Sequence, residues 1–295
     1  MTQAGTTEQT LYDYSPITER PPLRWPDGKS VAFYLGLNIE HFRIDMPATS
    51  QVPSTVGLVP DPINYGWRDY GVRVGIWRMM DLLDRLEMRA SVLLNSEVCE
   101  HYPQVVAAGV ERGWAWLGHG QTNSIFHTGM ELEDERAFLR EMHTVVSEAT
   151  GTAPKGWLGP ALTETFNTPS LLAELGYTYL LDWCNDDQPY PLNVPGMISV
   201  PYSVDINDIT LYLGRNLSGD EYVRMVTDAL DQLIEDASPD AGRVLALPVH
   251  PFIVNQPSRH RYLARALQEI RARDEVWVTT SDAIADHYLA TKEAS

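Results

Sequence analysis

Apolar residues occupy both parities from Val31 to Leu37 in the stretch SVAFYLGLNIEHF (30–42), with only Gly36 interrupting. So short a continuous apolar run is the pattern of a strand buried on both faces, as in a parallel sheet covered by helices. It is too short to span a membrane. The pattern breaks at Asn38, Glu40 and His41. Strand alternation puts Asn38 and Glu40 on one face and Ile39 and His41 on the other. Polar groups at the C-terminal end of a buried parallel strand sit where α/β folds build their active sites. A strand that merely surfaces into a loop shows the same change, so the stretch needs support from the rest of the chain.

Further apolar stretches read as strands at 89–95, 114–120, 156–160, 177–183, 197–203, 243–251 and 276–280. Between them the period changes to helical, as in Ile76, Met79, Met80, Leu83 and Leu86, or Phe138, Met142, Val145 and Ala149. Ser218-x-x-Glu221 is a capping box ahead of Tyr222, Val226, Ala229, Leu230 and Leu233. Shorter helices are predicted at 103–112, from Thr168 to Gly176 and at 258–273, with a terminal helix capped by Ser281. Two segments read as loops: 43–70, rich in Pro and Gly, and 184–196, CNDDQPYPLNVPG. Residues 1–29, polar and proline-bearing, are expected to wrap the surface of a single domain spanning 30–295. Roughly eight strands alternating with helices predict an α/β fold with a parallel sheet, and a barrel is preferred over an open sheet.

Composition changes this picture mainly by exclusion. The net charge of −18, from 40 acidic and 22 basic residues, argues against nucleic acid or an anionic membrane as a partner. Cys99 and Cys184 make neither a disulfide framework nor a cysteine zinc site. The N-terminus shows no basic segment leading into an apolar core, so a cytoplasmic location is expected.

Several strand ends carry polar groups: Asn38 and Glu40, His119 with Asn123, Asp182 with Asp186 and Asp187, and His250. If the strands are parallel, these ends converge and gather carboxylates, imidazoles and an amide around one pocket. Each residue alone has a plainer reading. A histidine after an apolar strand often only hydrogen-bonds the fold, and Asp186 and Asp187 beside Pro189 also suit a turn. Tyr65, Trp67, Trp157 and Tyr190 lie in or near predicted loops and are candidate substrate contacts.

Five segments in this order, LGLNIEH (35–41), GHGQTNS (118–124), PKGWLGPALTET (154–165), DWCNDDQPY (182–190) and LPVHP (247–251), carry a resemblance. The chain resembles the polysaccharide deacetylase family, carbohydrate esterase family 4, in the branch with metal-independent allantoinases and cytoplasmic peptidoglycan-deacetylase-like proteins. The resemblance spans about residues 20–289 and implies an irregular (β/α) barrel of seven to eight parallel strands. The family's acidic base and acidic metal ligand match Asn38 and Glu40, or Glu40 and His41 if the register slips by one. Its two histidine ligands match His119 and Asn123, its orienting arginine is replaced by Leu158 and Gly159, and its closing histidine matches His250. The base, one metal ligand and the arginine therefore depart from the family pattern.

The departures alter the expected chemistry. Glu40, His119 and Asn123 offer one anion, one imidazole and one neutral amide, a weak set for a zinc ion that wants three strong ligands. A divalent metal is therefore doubtful, and water activation passes to a side chain. Glu40 is the expected general base, with His119 orienting it or acting as an acid. His250 would protonate the departing nitrogen, with Asn38 or backbone amides holding the oxyanion. The expected function is hydrolysis of a non-peptide C–N bond in a small amide, ureide or N-acyl compound, under a lid formed from the 43–70 loop. A metal-dependent N-acetyl-sugar deacetylase and a non-catalytic ligand-binding relative are the alternatives. The aromatic 60–70 segment, together with the resemblance, predicts a homo-oligomer; a monomer by light scattering over a wide concentration range would contradict this.

Overall fold

The computed structural model describes residues 9–46 and 53–293. Residues 30–42 supply the central strand β1 (Val31–Ile39), buried throughout. The other strands are β2 (Ala90–Leu94), β3 (Ala115–Gly118), β4 (Gly156–Trp157), β5 (Tyr179–Leu180), β6 (Tyr190–Pro191), β7 (Ile198–Ser199), β8 (Arg243–Val249) and β9 (Val276–Thr279). The sheet order is β6-β7-β5-β4-β3-β2-β1-β8, with β9 also paired to β1. Every pairing is parallel except that of β6 with β7. The sheet curls into a half-barrel rather than a closed ring. At its seam Val244 N donates to Asp187 O at 2.9 Å, and Gln188 Nε2 donates to Gly242 O at 2.8 Å.

Helices α1 (Pro62–Tyr70), α2 (Ile76–Leu86), α3 (Ser96–His101), α4 (Pro103–Glu111), α5 (Leu132–Thr150), α6 (Thr168–Glu174), α7 (Gly219–Asp236), α8 (Pro251–Val254), α9 (His260–Arg271) and α10 (Ser281–Glu293) fill the connections. Alternation along β1 divides the core. Val31, Phe33, Leu35, Leu37 and Ile39 pack outward among side chains of the surrounding helices, including Ile76, Met79 and Leu83 of α2. Ala32 and Tyr34 point inward with Leu117, Tyr179 and Val200, joined by Ile284, Ala285 and Tyr288 of α10. This explains the unbroken apolar run: neither face of the strand meets water. In the N-terminal segment, Leu23 and Trp25 join the same inward cluster.

The predicted loop 43–70 is corrected over its last part. Asp61 caps α1 by accepting from Asn64 N, and Pro62 takes the first helical position, where its missing N–H costs nothing. A π-helical turn, Gly71–Gly75, continues α1 into α2. A Cβ on Gly75 would lie 2.3 Å from Pro251 O, so this glycine serves close helix contact rather than a loop. Within the segment, Tyr65, Trp67 and Tyr70 are only part-exposed; the exposed large apolar side chains among its described residues are Ile44, Val56, Leu58, Val59 and Ile63. Residues 47–52 of the predicted loop lie outside the described residues. Among the described residues no helix is long and apolar enough to cross a membrane.

Candidate active site

Parallel pairing brings the residues that follow β1, β3 and β8 to one end of the half-barrel: Glu40, His119 and His250. Glu40 Oε1 lies 3.5 Å from His119 Nε2 and 3.5 Å from His250 Nε2. The three side chains are almost fully withdrawn from solvent. His119 is oriented by its Nδ1, which donates to Leu158 O at 2.7 Å. His250 is oriented by Asp208: its Nδ1 lies 2.6 Å from Oδ1 and its backbone N donates to Oδ2 at 2.7 Å.

Burial alone would push the Glu40 carboxyl up, but His250 and His119 outweigh it and hold the group well below the usual carboxylate range. Burial alone would lower His250, yet Asp208 and Glu40 on its two sides raise it to about 10. Burial raises Asp208, and His250 offsets only part of that rise. The His250 ring thus sits between two carboxyl groups that favour its protonated form, with Nε2 turned toward Glu40.

Asn123 completes the Glu40 environment in a way that decides the metal question. Its Nδ2 donates to Glu40 Oε1 at 2.5 Å, and its Oδ1 accepts from Asn95 Nδ2 at 3.0 Å. Reversing the amide would set oxygen against carboxylate and NH2 against NH2, so the orientation follows from the network. Asn123 thus presents a proton, not a lone pair, to Glu40. Glu40 and His119 alone fall short of the three-ligand set of a catalytic zinc, and His250, held on Asp208 with its Nε2 turned toward Glu40 as a proton donor, does not supply the third, so the residues do not fit that ion. Asn123→His is expected to raise zinc affinity by about tenfold or more, a gain that His119→Ala cancels, as calorimetric titration would show.

A narrow cleft beside Glu40 is lined by His41, Phe42, Tyr65, Arg68, Asp69, Val72 and Tyr102. Tyr65 therefore lies in the cleft with Glu40. Trp67 instead packs edge-on against Phe252, with ring centroids 4.9 Å apart. Trp157 is fully buried against His127 and Tyr177 and belongs to the core. Asp186 pairs with Arg20 at 2.6 Å. With Tyr190 it lines a separate, larger cavity walled by the N-terminal segment and α10. Asp187 serves the seam through its backbone. Asn38 faces inward, where its Nδ2 donates to Tyr202 Oη and Val249 O, both at 3.2 Å. Both amide hydrogens are thereby committed to the fold, so the oxyanion role read for Asn38 lacks a free donor.

Three contributors escaped the sequence reading. Asp208 lies in an irregular stretch, Arg68 inside a segment read as loop, and Asn95 at the end of β2, where its polar character was itself the available signal. Asn95 Oδ1 accepts from His41 N at 2.8 Å, and its Nδ2 donates to His119 O as well as to Asn123.

The comparisons agree with this architecture. The polysaccharide deacetylase family model matches residues 66–180 of this chain. A polysaccharide deacetylase homologue from Schizosaccharomyces pombe is 26% identical over 309 residues, covering 93% of this chain and 94% of its own. The PuuE allantoinase structure superposes with a TM-score of 0.86 at 24% identity, covering 98% of this chain and 99% of the other. A polysaccharide deacetylase homologue of Pseudomonas aeruginosa PAO1 gives 0.84 at 24% identity, with coverages of 95% and 98%. The two superpositions establish the shared α/β half-barrel.

Proposed function

We propose that the protein hydrolyses a non-peptide carbon–nitrogen bond in a small amide, ureide or N-acyl compound, using Glu40 and His250 rather than a metal held at Glu40. The observation that carries this reading is the Glu40 carboxylate set 3.5 Å from both Nε2 atoms at the strand ends. The deacetylase domain match and the likeness to PuuE allantoinase support the same reaction class.

In this reading Glu40 accepts a proton from water as the water oxygen bonds to the substrate carbon. The Nε2 proton of His250 passes to the departing nitrogen as the C–N bond breaks. A carboxylate held this low is a weak base at rest, but the cation that depresses it is the one that gives up its proton. As His250 becomes neutral, Glu40 gains basicity, so the two transfers assist each other. The proton on Glu40 then returns to His250 Nε2 and the site is reset. Arg68, lining the same cleft, brings a guanidinium to the charge developing on the substrate oxygen.

The narrowness of this cleft favours a compact substrate. The test is a survey of ammonia, urea and acetate release from small ureides, amides and N-acetyl sugars. Turnover of small C–N compounds is expected. Efficient deacetylation of chitin or peptidoglycan, with no activity on small amides or ureides, would overturn the reading.

A further inference from the structure

Beside the catalytic cleft, a second group of side chains has no part in the reaction above. β1 and β2 are parallel neighbours, so the residues that follow them meet: His41 beyond β1, and Glu97 in the first turn of α3. His101 stands four residues after Glu97 and so shares its helix face. His41 Nδ1 lies 2.7 Å from Glu97 Oε2. The His41 and His101 rings stack with centroids 4.5 Å apart and planes 17° apart. One donor atom from each of the three residues falls within 4.8 Å of the others.

Two imidazoles and one carboxylate form a donor set that zinc accepts, with remaining positions left to water. Glu97 is part-buried and His101 exposed, which leaves the group open on one side for an ion to enter. Arg43 competes for the carboxylate, its Nε donating to Glu97 Oε1 at 3.0 Å. Its side chain is about one-third exposed and free to turn into solvent.

We propose that His41, Glu97 and His101 form a binding site for a zinc-class cation at the rim of the catalytic cleft, separate from Glu40, His119 and Asn123. His101 closes the set from the solvent side as Arg43 releases Glu97. The ion ties the chain just after Glu40 to α3. His41 O already accepts from Asn123 N at 3.0 Å and Thr122 Oγ1 at 2.8 Å, so the site braces the segment that carries the proposed base. This inference does not depend on the reaction proposed above.

Calorimetric titration of chelator-stripped full-length protein with Zn²⁺ alone tests it. Saturable binding of about one ion per chain is expected, weakened about tenfold or more by His101→Ala and by Glu97→Gln. Arg43→Ala should tighten binding severalfold by removing the competing guanidinium. Glu40→Gln should leave it within about twofold. Because His101 is exposed, equal metal-free melting temperatures for wild type and His101→Ala show that any loss is not unfolding. No saturable binding to wild type would overturn the proposal, as would binding that His101→Ala spares and Glu40→Gln removes.

Discussion

Glu40→Gln is expected to lower kcat/KM by about 10³-fold while leaving the secondary structure intact. Glutamine matches glutamate in size and keeps an oxygen for the Asn123 Nδ2 proton, but it cannot take a proton from water. It also removes one of the two carboxylates beside His250, whose imidazolium would then rest on Asp208 alone. The cost in stability has a defined pH signature. Glu40 is depressed in the folded chain, so its contribution is present above about 4.5 and is lost as pH falls through the lower folded value. Steady-state kinetics with circular dichroism and thermal melts at pH 7 and pH 4 separate the two effects. An unchanged rate would remove Glu40 from the mechanism.

Asp208→Asn should act through His250 and carry the second large effect. Asp208 is fully buried and accepts from both the ring and the backbone of His250. An asparagine there offers no counter-charge, and its NH2 turned toward Nδ1 favours the wrong tautomer. A fall in kcat of about 10²-fold or more is expected, from the general acid alone. The alkaline limb of the pH–rate profile, set in the wild type near the His250 value of about 10, should move to lower pH by about one unit or more. Stability should fall as well, by about 3–5 kcal/mol, because a buried ion pair loses one partner. His250 is raised above its ordinary 6.5, so its contribution is complete below that pH and is lost as pH rises through about 10. A merely structural Asp208 would lower stability without moving the alkaline limb.

These side chains differed in how clearly the sequence announced them. β1 was legible because both its faces are buried, which leaves an unbroken apolar run that a polar end interrupts. His119 and His250 were legible for the same reason, as each directly follows a buried strand. Asp208 has no such marker: it precedes a π-helical turn, Ile209–Gly214, and reaches His250 only because the fold brings them together across 42 positions. The Pro and Gly content of the segment before Gly71 concealed α1, since the helix-starting Pro62 and the Gly66 within the helix look like loop chemistry. Asp186 and Tyr190 read as residues of the catalytic pocket because a polar, aromatic loop after a strand suggests a rim. That loop instead turns back as the antiparallel β6, and Arg20 of the N-terminal segment claims Asp186. Partners so distant in sequence leave no local pattern.

The central claim is that hydrolysis runs on Glu40 and His250 without a metal at Glu40. It is tested most directly by measuring kcat/KM on the best small ureide or amide after exhaustive chelation, and again after zinc is restored. In both the wild type and His101→Ala, the rate is expected to stay within about twofold throughout, as a site held by an Asn123 proton donor requires. Activity lost on chelation and recovered with zinc in both proteins would contradict the claim and assign the reaction to a metal-dependent deacetylase.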